Sequence, residues 1–150
     1  MDKLLLKKEL IEACRKIQQK TAENLRVVMN EAQQSANDYG APKDRYDSHR
    51  NQLLAKRDMY AQQMDKAVFE IGILDRIDLS REMERVNFGA VVITTDQKIF
   101  ISIGTGKVNI NDEIYFAISP KVPFYEAMKD LKKGDFFEFR GRKIEIKDVF

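Results

Sequence analysis

The sequence predicts an α+β protein: an N-terminal antiparallel coiled-coil helical hairpin, then a C-terminal antiparallel sheet with one helix. Three observations predict it. Leu53, Tyr60, Ala67 and Leu74 recur every seven residues, and Met64 and Ile71 lie three residues ahead of Ala67 and Leu74, which is the alternating spacing of a heptad seam. Residues 4–38 contain neither Gly nor Pro and carry one apolar stripe through Leu10, Cys14, Ile17, Thr21, Leu25, Val28, Ala32 and Ala36. Residues 86–150 switch to short β-branched and aromatic runs broken by Gly, Pro and Asp. The expected division is a hairpin over residues 1–78 and a β-rich domain over 86–150.

Composition fits that division. At 43% hydrophobic the chain can build a core, and its 33% charged residues suit long helices that each bury a single stripe. The 26 basic and 24 acidic residues leave a net charge of +2, which gives no general electrostatic case for nucleic-acid binding. One cysteine, Cys14, excludes an internal disulfide and fits a reducing compartment. Leu4-Leu5-Leu6 runs at once into Lys7-Lys8-Glu9, so no signal peptide is expected. No apolar run approaches the roughly 20 residues of a membrane-spanning helix. A cytoplasmic, monomeric protein with no membrane partner is the expectation.

The first helix, about 33 residues at ~1.5 Å each, would span roughly 50 Å. Its stripe is softened by Thr21 and the alanines, so it needs the seam of the second helix. Gly40 suits the left-handed position after a helix end and Pro42 the first position of the next helix, so the connection is short and the helices are antiparallel. Asp38 and Asp44 then flank the tip. Asp44, near a helix N-terminus, is favoured by the macrodipole and needs no functional explanation, whereas Asp38, near a C-terminus, is mildly disfavoured and is the stronger functional candidate. Lys43, Arg45 and Arg50 crowd the same tip and oppose a pure metal-chelating site there. Arg50 and Arg57 occupy seam positions, where polar residues fix register and long stems carry the charge to water. The period fades after Leu74. Residues 76–85 read as the joint, with Ser80 placed to cap a short turn beside Glu82 or Glu84.

In the second domain, residues 86–93 read as a strand, with Gly89 a bulge or a point of close approach. Residues 98–103 and 113–118 read as further strands, separated by a break at Gly104-Thr105-Gly106. Phe124, Met128 and Leu131 share one face of a short helix over 125–131. Residues 136–140 and 143–147 form a hairpin over Gly141-Arg142, and Lys133-Gly134-Asp135 is a turn. The result is an antiparallel sheet with one helix packed on it.

The order of parts resembles the bacterial Gre transcript-cleavage factors, and the second domain carries the more specific match. Phe88-Gly89, Ile118-Ser119-Pro120, Ala127, Leu131, Gly134-Asp135, Gly141 and the closing Ile144-x-Ile146 strand look like that family's pattern. The resemblance implies an FKBP-like second domain and a hairpin that enters the secondary channel of RNA polymerase. It also implies docking on the channel rim near the Ser-Pro segment, here Ser119 and Pro120, and transient contact with nascent RNA. In the family two acidic residues at the tip help position a catalytic magnesium and water, and the polymerase performs the cleavage. No tightly bound cofactor is then expected, only magnesium shared with the polymerase active site, and the chain itself is not an enzyme. The family's tip carries an Asp and a Glu three residues apart. Aligned on Tyr46, this chain has Tyr39 and Pro42 there, with Asp38 and Asp44 displaced to either side. A channel-binding regulator without cleavage activity is therefore an equal reading, with Lys43, Arg45 and Arg50 as its tip contacts.

Two other classes stay open. An enzyme built on Cys14 and His49 would need the thiol near the tip, and Cys14 lies far from it; prolyl isomerase activity rests on fold analogy alone. A coiled-coil adaptor or homodimer would want a continuous helix, which Gly40-Ala41-Pro42 interrupts. Gly104-Thr105-Gly106-Lys107 lacks the spacing of a phosphate loop and reads as a turn.

Overall fold

A computed structural model of the chain describes residues 2–40 and 48–150. The fold is α+β: a helical hairpin of α1 (Lys3–Tyr39) and α2 (Ser48–Leu74), followed by a six-stranded sheet with one further helix. By internal packing the residues form two compact units, Met1–Ile17 with Gly72–Phe150, and Gln18–Ile71. The division expected from the sequence, 1–78 and 86–150, follows chain connectivity instead.

The helices end as their sequences direct. Asp2 caps α1, its carboxylate accepting from the Leu4 and Leu5 amides at 3.0 and 3.4 Å. Gly40, at φ +89°, stops α1 and bonds back to the Ala36 and Asn37 carbonyls. Within the unit Gln18–Ile71 the helices run antiparallel. The Gln18 amide donates to Glu70 at 3.3 Å, the Arg57 guanidinium to Gln33, and the edge of one ring of the Tyr39–His49 pair meets the face of the other at a centroid distance of 4.8 Å. The seam residues Leu53, Tyr60, Met64 and Ile71 are half-buried and Ala67 is buried, facing a first helix whose Ala32 and Ala36 are also buried. Thr21, on the expected stripe, is exposed.

In the other unit the sheet comprises β1 (Val91–Thr94), β2 (Lys98–Ile101), β3 (Gly106–Ile110), β4 (Glu113–Ile118), β5 (Phe136–Phe139) and β6 (Arg142–Val149). Their order is β3-β4-β2-β1-β6-β5. The sheet is mixed rather than wholly antiparallel, because β2 and β4 run parallel, with Phe100 opposite Ala117. The cause is β3, which reads from sequence as a break after Gly104. It returns the chain so that β4 re-enters beside β2. A two-residue turn at Asn111-Asp112, both at positive φ, joins β3 to β4. The last hairpin likewise turns on Arg140-Gly141, one residue before the expected pair, with Phe139 opposite Arg142.

The first expected strand, 86–93, is shorter in the structure. Residues 86–90 are irregular, with a turn in which Ala90 bonds to Asn87, and β1 starts at Val91. Gly89 is the close approach expected: it sits at φ +91°, and a Cβ there would lie 3.3 Å from the Ile77 side chain. The helix α3 runs Pro123–Met128, two residues earlier than expected, because Pro123 occupies its first position.

The sheet is covered on both faces. On one side Leu6, Leu10, Ile11 and Cys14 of α1, with Leu74 and Ile77, pack against Val91, Phe100, Val108, Tyr115 and Phe150. On the other, Tyr125 and Met128 of α3 pack with Val86, Val92, Ile99, Ile101, Phe137, Ile144 and Ile146.

Candidate functional site

Two places carry the residues expected to act: the hairpin end and the turn before α3. At the hairpin end, Asp44, Lys43 and Arg45 lie outside the described residues. Asp38 is exposed on the last turn of α1, where its carboxylate accepts from the Gln34 side-chain amide one turn back at 2.8 Å. Arg50 is half-buried near the start of α2, and its Nε donates to the Gly40 carbonyl at 3.0 Å. A cation on the last carbonyls of α1 satisfies acceptors the helix leaves open and complements its dipole. Arg50 thus has a clear structural task, and it lies close to the chain segment that holds Asp38. Arg57, the other seam arginine, bonds Gln33 and pairs with Asp58 at 2.7 Å.

At the other place, β4 ends at Ile118 and Ser119-Pro120 begin the turn into α3. The Ser119 hydroxyl accepts from the Lys121 amide at 3.2 Å, and its carbonyl accepts from Val122 at 3.3 Å. Val122 is extended, as a residue before proline must be, and α3 starts without a side-chain cap. Ser119 and Pro120 are half-buried, so the turn offers a shaped, partly polar surface held by its own backbone. The hairpin end and this turn belong to different units.

Among the described residues no group of three or more His, Cys, Asp or Glu side chains is placed to hold a metal ion. Cys14 and His49 fall in different units. The Cys14 thiol is buried, with its Sγ 3.6 Å from the Thr105 hydroxyl, and burial pushes its pKa up. A protonated, buried thiol is a poor nucleophile. Asp78, not Ser80, organises the turn after α2: its carboxylate accepts from the Ser80 amide at 2.8 Å and hydroxyl at 2.6 Å, and these bonds hold its pKa down. Among the described residues, no helix is long and apolar enough to cross a membrane.

Lys7 is a further buried polar residue of α1. It is fully buried, and its Nζ has no hydrogen-bond partner among the described residues. The signal was present, since Lys7 stands three and seven residues before Leu10 and Cys14 and so extends their stripe.

No family model matches the chain, and no curated protein matches it. Among solved structures the chain is similar to one described as the structure of the transcription factor Gfh1, at 18% sequence identity. The match covers 91% of this chain and 93% of that one, with a TM-score of 0.34.

Proposed function

We propose that this protein is a Gre-like transcription elongation factor that binds RNA polymerase at its secondary channel through the hairpin and modulates elongation there. One observation carries the reading: an antiparallel hairpin with a polar end precedes an α+β domain in which a Ser119-Pro120 turn leads into a short helix, in the order of parts that the sequence resemblance implies. In this reading the second domain is FKBP-like and docks through the Ser119-Pro120 turn, while Arg50, Lys43 and Arg45 contact the polymerase from the tip. The chain is not itself an enzyme; any cleavage of RNA belongs to the polymerase and its magnesium.

Within that reading, a regulator that does not stimulate cleavage is favoured over a cleavage factor. Asp38, the stronger of the two acids on sequence grounds, already has its carboxylate engaged by Gln34, and Arg50 brings a cation to the end of the same helix. Both features oppose recruitment of a further cation. The deciding experiment is RNA cleavage in a backtracked elongation complex with the cognate polymerase, using wild type and the Asp38→Ala, Asp44→Ala double variant. Altered elongation without cleavage in either protein is the expected result. Cleavage that the double variant abolishes would make the chain a true cleavage factor with displaced acids.

A further inference from the structure

Near the carboxylates of the connection between α2 and β1 lies a buried amine without a hydrogen-bond partner among the described residues. Lys7 lies on the face of α1 that carries Leu10, Ile11 and Cys14 into the core, and its amine is fully buried without a hydrogen-bond partner among the described residues. The charged groups around it are unevenly engaged. Asp78 and Glu82 of the connection attract Lys7 electrostatically but do not bond it. Asp78 is held by Ser80 and faces Arg81. Glu82 is half-exposed and lies 3.8 Å from Lys3, one turn back on α1, whose amine also pairs with Asp148 of β6 at 2.9 Å.

An unpaired buried ammonium is strongly disfavoured. It has two ways out: lose the proton, or regain water and a carboxylate. The second requires the segment that carries Asp78 and Glu82 to move, and that segment is weakly held. Residues 78–83 lie outside helix and strand and make no backbone-to-backbone hydrogen bond among the described residues.

We propose that residues 78–82 form a latch beside Lys7 with two states: the closed state described above, with the amine buried and unpaired, and an open state in which the Lys7 ammonium is hydrated and pairs with Asp78 or Glu82. Closing releases a proton from Lys7 and opening takes one up, so the latch sets how firmly the first turns of α1 are clamped to the sheet. Burial lowers the Lys7 pKa, and the two carboxylates offset part of that effect. The sign follows. The closed state binds fewer protons between the lowered value and the ordinary lysine value of about 10.4, so closure strengthens as pH rises through that window. Below it the charged amine opposes closure at every pH.

The test is an NMR titration of the full chain that follows the lysine side-chain nitrogens and the amides of residues 78–82 together. Lys7 is expected to titrate below the other lysines, and those amides to move with the same midpoint. In Lys7→Met the amides should hold their closed positions at every pH and exchange with solvent on the order of 10-fold more slowly at neutral pH. Lys7 titrating with the surface lysines, with no movement of residues 78–82, would overturn the latch. So would an amide transition that persists in Lys7→Met. The wild-type titration decides the matter even if the variant misfolds.

Discussion

Leu10→Ala separates the packing described above from a simple two-helix seam. Leu10 is fully buried among Leu6, Cys14 and Leu74 on the helices and Phe100, Tyr115 and Phe150 of the sheet domain. Truncation removes three buried carbons, a transfer loss of about 2.5 kcal/mol at roughly 0.8 kcal/mol each. A cavity term adds to this, because both walls of the site are held by other elements, and the total comes to about 3–4 kcal/mol. That is a change of roughly two to three orders of magnitude in the folded ratio. In a chain of this size it lowers Tm by about 6–16 °C. The control is Leu5→Ala on the same helix, where the side chain is 48% exposed; its effect should stay within roughly 0.5 kcal/mol. Urea unfolding followed by circular dichroism gives both values, and hydrogen exchange reports whether the loss reaches β2 and β4. The Leu10→Ala variant should loosen exchange in those strands as well as in α1. A loss under about 1 kcal/mol, or one confined to the helices, would refute the assignment of the first turns of α1 to the core of the sheet.

Gly89→Ala should destabilise by about 1–3 kcal/mol in the same unfolding assay, since alanine is strained at φ +91° and its Cβ would press on Ile77. Gly104→Ala, where a Cβ meets nothing within 4 Å and φ is ordinary, is the tolerated comparison. Cys14 should react with iodoacetamide at pH 8 on the order of 100-fold more slowly in the folded protein than in urea, because burial keeps the thiol protonated and covered. Its raised pKa also has a stability sign. Above about pH 8.5 the unfolded thiol ionises first and binds fewer protons, so Cys14 contributes a loss of at most ~1.4 kcal/mol per pH unit. Urea midpoints at pH 8 and pH 10 should therefore fall further for wild type than for Cys14→Ala.

The helices were legible because their signals are local and periodic. The seam from Leu53 to Leu74, the glycine-free first 38 residues and the stop at Gly40 each act over one or two turns. Hydrophobic spacing alone did not show which partner a stripe meets. Leu10 and Cys14 lie on the same stripe as Ala32 and Ala36, yet the first pair is buried on the sheet and the second belongs to the other unit. The missed strand β3 has a cause of the same kind. Gly104 and Gly106 hid its start, and only Val108 of its five residues is buried, so no alternation stood out. Asn111-Asp112 was the available signal, as a pair that tolerates positive φ between two short runs. The parallel pairing of β2 with β4 then follows from β3 and is a long-range consequence. At the functional end, Asp38 and the Ser119-Pro120 turn could be picked from residue type and position. The engagement of Asp38 by Gln34 and of Gly40 by Arg50 depends on side-chain reach, which spacing does not specify.

Co-elution of the purified chain with cognate core RNA polymerase at low salt tests the proposed function most directly. The account predicts a complex that survives gel filtration, that weakens when Ser119 and Pro120 are both replaced by Ala, and that weakens independently with Arg50→Ala. A chain that elutes alone at about its own 17.5 kDa, and leaves elongation by that polymerase unchanged, would contradict it.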